Sequence, residues 1–174
     1  MKLLKINFKV ADSGFKEVLQ KGLSHRAQVE FLAMGKAKFA AKKYPTAIII
    51  AADTMVSFKN KIIGKPINSK NFYDMLKSFS GKPQEVLTGV AILDAANGKS
   101  FVAVKKSRVY FKNLNKLQIQ NHIASGDGWD KAGGYGVMGK GLALIQKIEG
   151  SHTASLGLPL EFVINALIKL KVYV

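Results

Sequence analysis

An uninterrupted apolar run constrains the fold of this chain more than any other feature. Residues 47–52 read Ala-Ile-Ile-Ile-Ala-Ala, and the run ends at Asp53. A short run rich in β-branched residues predicts a central strand that is buried on both faces. An acid at the carboxyl end of such a strand lies where open α/β sheets bind ligands. Taken alone, however, an aspartate at this point is more simply explained as a turn-forming residue.

Periodicity along the rest of the chain predicts both strands and helices. Further strands are predicted over residues 4–10, 86–93, 101–111 and 142–148, and a short hairpin joins 55–58 to 62–63. Helices are predicted over residues 26–43, 68–79, 115–124 and 159–170. This order predicts an α/β (mixed α+β) fold with a central mixed sheet, in a single domain over residues 1–174.

Composition limits the class of protein. Hydrophobic residues make up 48% and charged residues 22% of the 174 residues, which excludes disorder as an overall description. The chain has no cysteine, so disulfides, thiolate metal ligands and a cysteine nucleophile are excluded. No apolar run approaches the roughly 20 residues that span a bilayer, and the start does not have the pattern of a secretory signal. We therefore expect a cytoplasmic protein with no membrane partner.

The formal net charge of +16 attracts polyanions at long range. Lysine is spread along the whole chain, and the only arginines are Arg26 and Arg108. Surfaces dedicated to nucleic acid usually contain arginine in planar, bidentate roles. We therefore favour a general compositional habit over a nucleic-acid surface, and the charge alone does not decide between them.

Two glycine-containing segments are candidates for binding phosphate or a base. In Gly64-Lys65-Pro66 the flanking residues fix a lysine that could meet a phosphate oxygen, although a solvated turn lysine is the commoner explanation. The loop from Lys131 to Gly139 has glycines whose backbone amides can face an anion, and Tyr135 offers a stacking face.

Taken together and in order, short motifs of this chain resemble those of the Maf family of nucleotide pyrophosphatases, from about Phe8 to Leu170. The motifs are Leu32-Ala33-x-x-Lys36-Ala37, Ala52-Asp53-Thr54, Gly64-Lys65-Pro66, Met75-Leu76 with Ser80-Gly81, Thr88-Gly89-Val90, Asp130-Lys131-Ala132-Gly133-Gly134-Tyr135-Gly136, Ile148-Glu149-Gly150 and Gly157-Leu158-Pro159-Leu160. The resemblance implies a two-lobed fold, related to the inosine triphosphate pyrophosphatases, with its active site in a cleft.

The implied reaction is hydrolysis of a nucleoside triphosphate to the monophosphate and pyrophosphate, with Mg²⁺ or Mn²⁺ as cofactor. By this resemblance Asp53 is the proton acceptor that activates water, and Glu17 helps Asp53 to hold the metal. Lys36 and Lys65 would contact the phosphates, and Thr54 lies at a position linked to base selection. Lys131, Tyr135 and Met138 complete the candidate substrate-binding residues.

The Asp53-Thr54 pair and residues 132–136 resemble the branch of the family that acts on dTTP and UTP. One alternative is a related house-cleaning pyrophosphatase with another base preference. A second alternative is a non-catalytic member that binds nucleotide or nucleic acid through its charge. Retention of Glu17, Lys36 and Lys65 together with Asp53 argues against a mere binding module.

The chain departs from the family pattern in three places. Family members begin with a strand followed by Ser-x-Ser-x-Arg-Arg, whereas residues 1–8 here align with what normally follows that motif. We favour a start placed at an internal methionine over a natural truncation. In either case we expect the chain as given to be weakly active or inactive, and either poorly stable or a homodimer. Met138 stands where the family usually has glutamine, and methionine accepts hydrogen bonds only weakly, so base selectivity is expected to differ. Glu85 replaces a histidine.

Overall fold

The strand predicted from the apolar run forms, and it extends well beyond its apolar part. The structure is a computed structural model that describes residues 6–172. The described strands are β1 (Ile48–Phe58), β2 (Lys61–Ile63), β3 (Pro83–Asp94), β4 (Ser100–Phe111) and β5 (Ile145–Gly150). The described α-helices are α1 (His25–Ala41), α2 (Ser69–Phe79), α3 (Lys116–Ala124), α4 (His152–Ser155) and α5 (Leu160–Lys169). Short 3₁₀ turns cover Ala132–Gly134 and Gly139–Leu144.

The strands form one antiparallel sheet in the order β2-β1-β3-β4-β5, where a sheet of mixed strand direction was expected. Short turns account for the antiparallel pairing of β1 with β2 and of β3 with β4, because a chain that reverses within a few residues pairs its strands antiparallel. Between β1 and β2 the turn residues Lys59 and Asn60 have φ angles of 48° and 60°. Between β3 and β4 the amide of Asp94 donates to the carbonyl of Lys99 at 2.9 Å.

The chain divides into two compact units. Unit 1 contains the chain up to Asp53, the segment Thr88–Val104 and the chain from Gly157 onward. In its part of β3, Val90 and Ile92 pack against α5, and the alternate residues Ala91 and Leu93 pack against α1. Helices therefore cover both faces of the sheet in unit 1. The α1 backbone comes so close to Gly89 that a Cβ there would collide with the carbonyl oxygen of Val29.

Unit 2 contains Thr54–Leu87 and Lys105–Leu156. Its core is built on the apolar face of α2, where Phe72, Leu76 and Phe79 recur at helical spacing and are almost wholly buried. Asn68 caps this helix by accepting a hydrogen bond from the amide of Asn71 at 2.8 Å. A closely packed aromatic core therefore lies against the glycine-rich loop, residues 131–139.

Most of the predicted elements are present, and two differ. The strand predicted over 4–10 is wrong for residues 6–10, which carry no strand; residues 4 and 5 lie outside the described residues. Ile6 packs against the core formed with α5, but the apolar side chains of Phe8 and Val10 are 44% and 84% exposed. The strand predicted from 142 begins instead at Ile145, because Gly139–Leu144 forms a 3₁₀ turn. None of the helices within residues 6–172 combines the length and the apolar character needed to cross a membrane.

Candidate active site

Asp53 lies in the middle of β1, not at the carboxyl end where the sequence had placed it. The polar residue interrupts the apolar run, but the alternating segment Thr54–Phe58 continues the same strand. Asp53 is buried, with 8% of its surface exposed. A buried carboxylate needs a partner that offsets the loss of hydration.

Lys36 of α1 is that partner, and it also binds a second acid. Its Nζ donates to Oδ1 of Asp53 at 2.7 Å and lies 2.7 Å from Oε1 of Glu17. Only 19% of the Lys36 side chain is exposed, whereas 57% of the Glu17 side chain is exposed. Burial lowers the pKa of Lys36, but the hydrogen bonds to Asp53 and Glu17 outweigh it, so the pKa is raised above its ordinary value. A single ammonium group therefore joins the two acids predicted to hold a metal.

Local packing explains how Glu17 reaches this point from a segment without regular structure. Asp12 and Ser13 accept hydrogen bonds from the amides of Gly14 and Phe15, which turn the chain. The Phe15 ring then packs edge-on against Phe31 and Phe39 of α1, with ring centroids 6.4 Å apart in each pair. The Phe15 anchor places Glu17 two residues farther along beside Lys36.

A cavity of about 790 Å³ opens beside this cluster, within unit 1. Glu17 and Lys36 line it together with residues 6–13 and residues 47–52 of the β1 region. Its wall is largely apolar, and its charged lining residues are Lys9, Asp12, Glu17 and Lys36. This is the usual character of a small-molecule site, in which a few polar groups fix the orientation of the ligand.

In unit 2 the structure joins the two glycine-containing segments. The amide of Gly133 donates to the carbonyl of Gly64 at 3.0 Å, so the loop is tied to the turn that carries Lys65. Lys65 itself is exposed. Hydrogen bonding from Lys131 lowers the pKa of Asp130, and the charges of Lys131 and Lys65 add to this effect.

Lys131, like Lys36, is held by two carboxylates. Its Nζ lies 3.1 Å from Oδ1 of Asp127 and 2.7 Å from Oδ1 of Asp130. The other oxygen of Asp127 accepts a hydrogen bond from the amide of Gly141 at 3.1 Å. Burial raises the pKa of Asp127, but its bonds to Lys131 and Gly141 outweigh this and lower it. Asp127 thus binds Lys131 at the start of the loop and Gly141 just beyond its end. The sequence analysis did not predict this role, although Asp127 precedes Lys131 by four residues.

Tyr135 does not present the open stacking face that was expected of it. Only 5% of its surface is exposed, and its ring packs edge-on against Phe111 at 4.8 Å and Phe79 at 6.4 Å. Its hydroxyl has no hydrogen-bond partner within the described residues, and burial raises its pKa. Met138, in contrast, is 63% exposed at the start of a 3₁₀ turn. Of these two loop side chains, only Met138 is accessible.

Two further residues singled out from the sequence, Thr54 and Glu85, lie on strands of the sheet. Thr54 follows Asp53 in β1 and is half-buried. Glu85, which stands where the family often has histidine, forms ion pairs with Lys106 and with Arg108. The hydrogen bond from Lys106 is the main cause of the lowered pKa of Glu85. Glu85 is thus a partner of neighbouring cations on the sheet.

The donor set at Asp53 suits a hard divalent cation. Within residues 6–172 no group of three or more acidic, histidine or cysteine side chains is arranged to hold a metal. Glu17 and Asp53 nevertheless converge on one cationic nitrogen, which shows that this point favours positive charge. Mg²⁺ is commonly held by only one or two carboxylates, with waters and substrate phosphates as its other ligands. The two acids fit that arrangement.

This chain is similar to known proteins along most of its length. The family model described as Maf-like protein matches residues 1–170. A protein of Pelotomaculum thermopropionicum named dTTP/UTP pyrophosphatase is 38% identical over 160 residues, covering 92% of this chain and 84% of that protein. Proteins of the same name from Geobacillus sp. and Dictyoglomus thermophilum are 38% and 37% identical, each over 92% of this chain and over 86% and 83% of their own lengths.

Proposed function

The chain belongs to the Maf-like protein family, and from this we propose that it is a nucleoside triphosphate pyrophosphatase that hydrolyses dTTP and UTP. The observation that carries the proposal is the cluster of Glu17, Lys36 and Asp53 beside a cavity of about 790 Å³. A buried acid, an exposed acid and a lysine in direct contact are the groups that this reaction needs. A cytoplasmic location, where nucleoside triphosphates are made and used, goes with this function.

The proposed reaction adds water to the α-phosphorus and breaks the bond to the β-phosphate, giving the monophosphate and pyrophosphate. Asp53 takes the proton of the attacking water as general base. Asp53 is held within strand β1, so its carboxylate is already oriented before the substrate binds. Glu17 and Asp53 would hold a divalent cation, which would supply stabilisation of the charge that develops on the phosphate oxygens.

Lysines supply the remaining positive charge in this proposal. Lys36 contacts the phosphates from the cluster, and the exposed Lys65 contacts them from its turn. Lys131 is already neutralised by Asp127 and Asp130, so we assign it the shaping of the loop that meets the substrate. Thr54 and Met138 are assigned to the selection of the base.

The accessible Met138 favours a second candidate, a pyrophosphatase of the same mechanism with another base preference. A methionine cannot donate a hydrogen bond to a base, so Met138 makes no polar contact that would favour binding of thymine or uracil. Pyrophosphate release from a panel of nucleoside triphosphates with Mg²⁺ or Mn²⁺ tests both candidates. Fastest release from dTTP and UTP supports the first, fastest release from another base supports the second, and no release from any substrate contradicts both.

A further inference from the structure

We propose that Lys36 is an internal counter-ion that competes with the divalent cation for Glu17 and Asp53, and that the triphosphate relieves this competition. Metal binding and nucleotide binding then strengthen each other. The inference rests on the proposed function, because it concerns the metal and the substrate of that reaction. It goes further by making Lys36 the residue that couples the two.

The geometry of Lys36 carries the first step. One ammonium nitrogen lies 2.7 Å from an oxygen of each acid, and Asp53 is buried. Charge-assisted bonds of this kind are among the stronger hydrogen bonds in proteins. A cation that approaches the same two oxygens must therefore displace the ammonium group or be repelled by it. The metal alone is expected to bind weakly.

The second step follows from what a triphosphate offers to Lys36. Its ammonium is a compact charge on a flexible stem, and it can turn from carboxylates to phosphate oxygens without a change in the helix. Lys36 and Glu17 both line the cavity, so the side chain has open space to move into. Once Lys36 turns away, two uncompensated carboxylates remain, which favours a cation between them.

The third step is thermodynamic. If the nucleotide raises the affinity for the metal, then the metal must raise the affinity for the nucleotide by the same factor. Such couplings typically amount to about 5-fold to 150-fold. Removal of the Lys36 charge should tighten metal binding in the absence of nucleotide and should weaken the coupling.

The test measures binding of Mn²⁺ alone, without turnover, by electron paramagnetic resonance or calorimetry. Lys36→Met keeps an unbranched side chain, one heavy atom shorter, and removes its charge, and Lys38→Met on the exposed side of the same helix is the matched control. We expect K36M to bind Mn²⁺ about tenfold more tightly than the unmodified protein. K38M should bind it as the unmodified protein does. The double change K36M with Asp53→Asn should lose the gain, which locates the ion.

Equal or weaker Mn²⁺ binding by a folded K36M overturns the inference, as does a gain that survives the loss of Asp53. If K36M does not fold, nitrogen NMR of the lysine ammonium groups in the unmodified protein decides. The Lys36 signal should persist with Mg²⁺ alone and change when Mg²⁺ and a non-hydrolysable dTTP analogue are added together. A change with Mg²⁺ alone of the same size overturns the inference.

These outcomes are separate from the proposed function. If the unmodified protein is active but K36M binds Mn²⁺ no more tightly, the inference is contradicted and the proposed function is not. A protein that releases no pyrophosphate, while K36M gains Mn²⁺ affinity, sinks the proposed function alone.

Discussion

The ring of Phe15 occupies the space that a side chain at Gly35 would need. A Cβ built on Gly35 would lie 2.5 Å from the ring carbon Cζ of Phe15, well inside van der Waals contact. Phe15 thereby rests directly on the backbone of α1, one residue before Lys36. This contact links an irregular segment to a helix and so brings Glu17 to Lys36.

A methyl group at position 35 should therefore disturb the candidate site from a distance. Gly35→Ala is expected to push Phe15 away and to reduce kcat/KM about tenfold or more, because Glu17 moves with its anchor. Overpacking of this kind typically costs about 1–3 kcal/mol in the free energy of unfolding. Pyrophosphate release and urea unfolding measure the two effects. Adding Phe15→Leu to G35A makes room for the methyl group and should recover part of both losses; a double variant no better than G35A contradicts this explanation.

The contact between Lys36 and its acids predicts unequal losses of stability. Lys36→Met leaves Asp53 buried without its cation and should cost about 2 kcal/mol in the free energy of unfolding. Glu17→Gln should cost less than about 1 kcal/mol, because Glu17 is more than half exposed and solvent screens its ion pair. Urea unfolding at pH 7 compares the two variants. A larger loss for E17Q than for K36M would contradict the assignment.

The raised pKa of Lys36 also predicts how stability depends on pH. A lysine whose folded pKa exceeds its unfolded value stabilises the fold fully below the unfolded value, which is near 10.5. That contribution is lost as the pH rises through the folded pKa. The difference in unfolding free energy between the unmodified protein and K36M should thus stay constant from pH 7 to about 10 and shrink above it. A difference that grows above pH 10 would have the wrong sign.

Asp127 and Asp130 both bind Lys131, but only Asp127 also holds the amide of Gly141. Asp127→Ala should free the loop, raise the KM for nucleotide and cost about 1–2 kcal/mol in unfolding free energy. Asp130→Ala removes a side chain that is 78% exposed and should leave the unfolding temperature unchanged. Steady-state kinetics and thermal unfolding of the pair test this. Equal effects of the two substitutions would show that the bond to Gly141 does not matter.

Exposed Met138 offers a direct test of base selection. Met138→Gln introduces the residue that the family resemblance leads us to expect here, with an amide that can bond to a base edge. Because the side chain is mostly exposed, the change should be neutral for stability. We expect kcat/KM for dTTP and UTP to rise about tenfold relative to other nucleotides, which corresponds to one good hydrogen bond. An unchanged substrate ranking would show that position 138 does not read the base.

Local signals allowed much of the fold to be predicted. Helix α2 was predicted from its cap Asn68 and from the helical spacing of Phe72, Leu76 and Phe79. The hairpin between β1 and β2 was predicted from the turn at Lys59 and Asn60. Both features depend on residues that are close together in the sequence, so a single sequence is enough to predict them. Asp53 was singled out by its place after the apolar run, but its role, and the roles of Lys36 and Glu17, were predicted only by resemblance to a family.

Long-range packing decided what the sequence could not show. Tyr135 looked like a stacking ring within a glycine loop, but the aromatic side chains that bury it come from distant elements. The segment over 6–10 alternates like a strand, yet a strand needs a partner strand that alternation does not provide. The double pairing of Lys36 depends on Phe15 and Gly35 meeting across twenty residues of chain, a contact with no periodic signature.

The most direct test of the account is pyrophosphate release from dTTP by Asp53→Asn. The substitution keeps the size of the side chain and its contact with Lys36, but removes the proton acceptor. Asp74→Asn, an exposed aspartate that pairs with Lys70 on α2, is the matched control. We expect the D53N rate to fall at least about a hundredfold while D74N keeps the full rate. A D53N protein that releases pyrophosphate as fast as D74N would contradict the assignment of Asp53 as the general base.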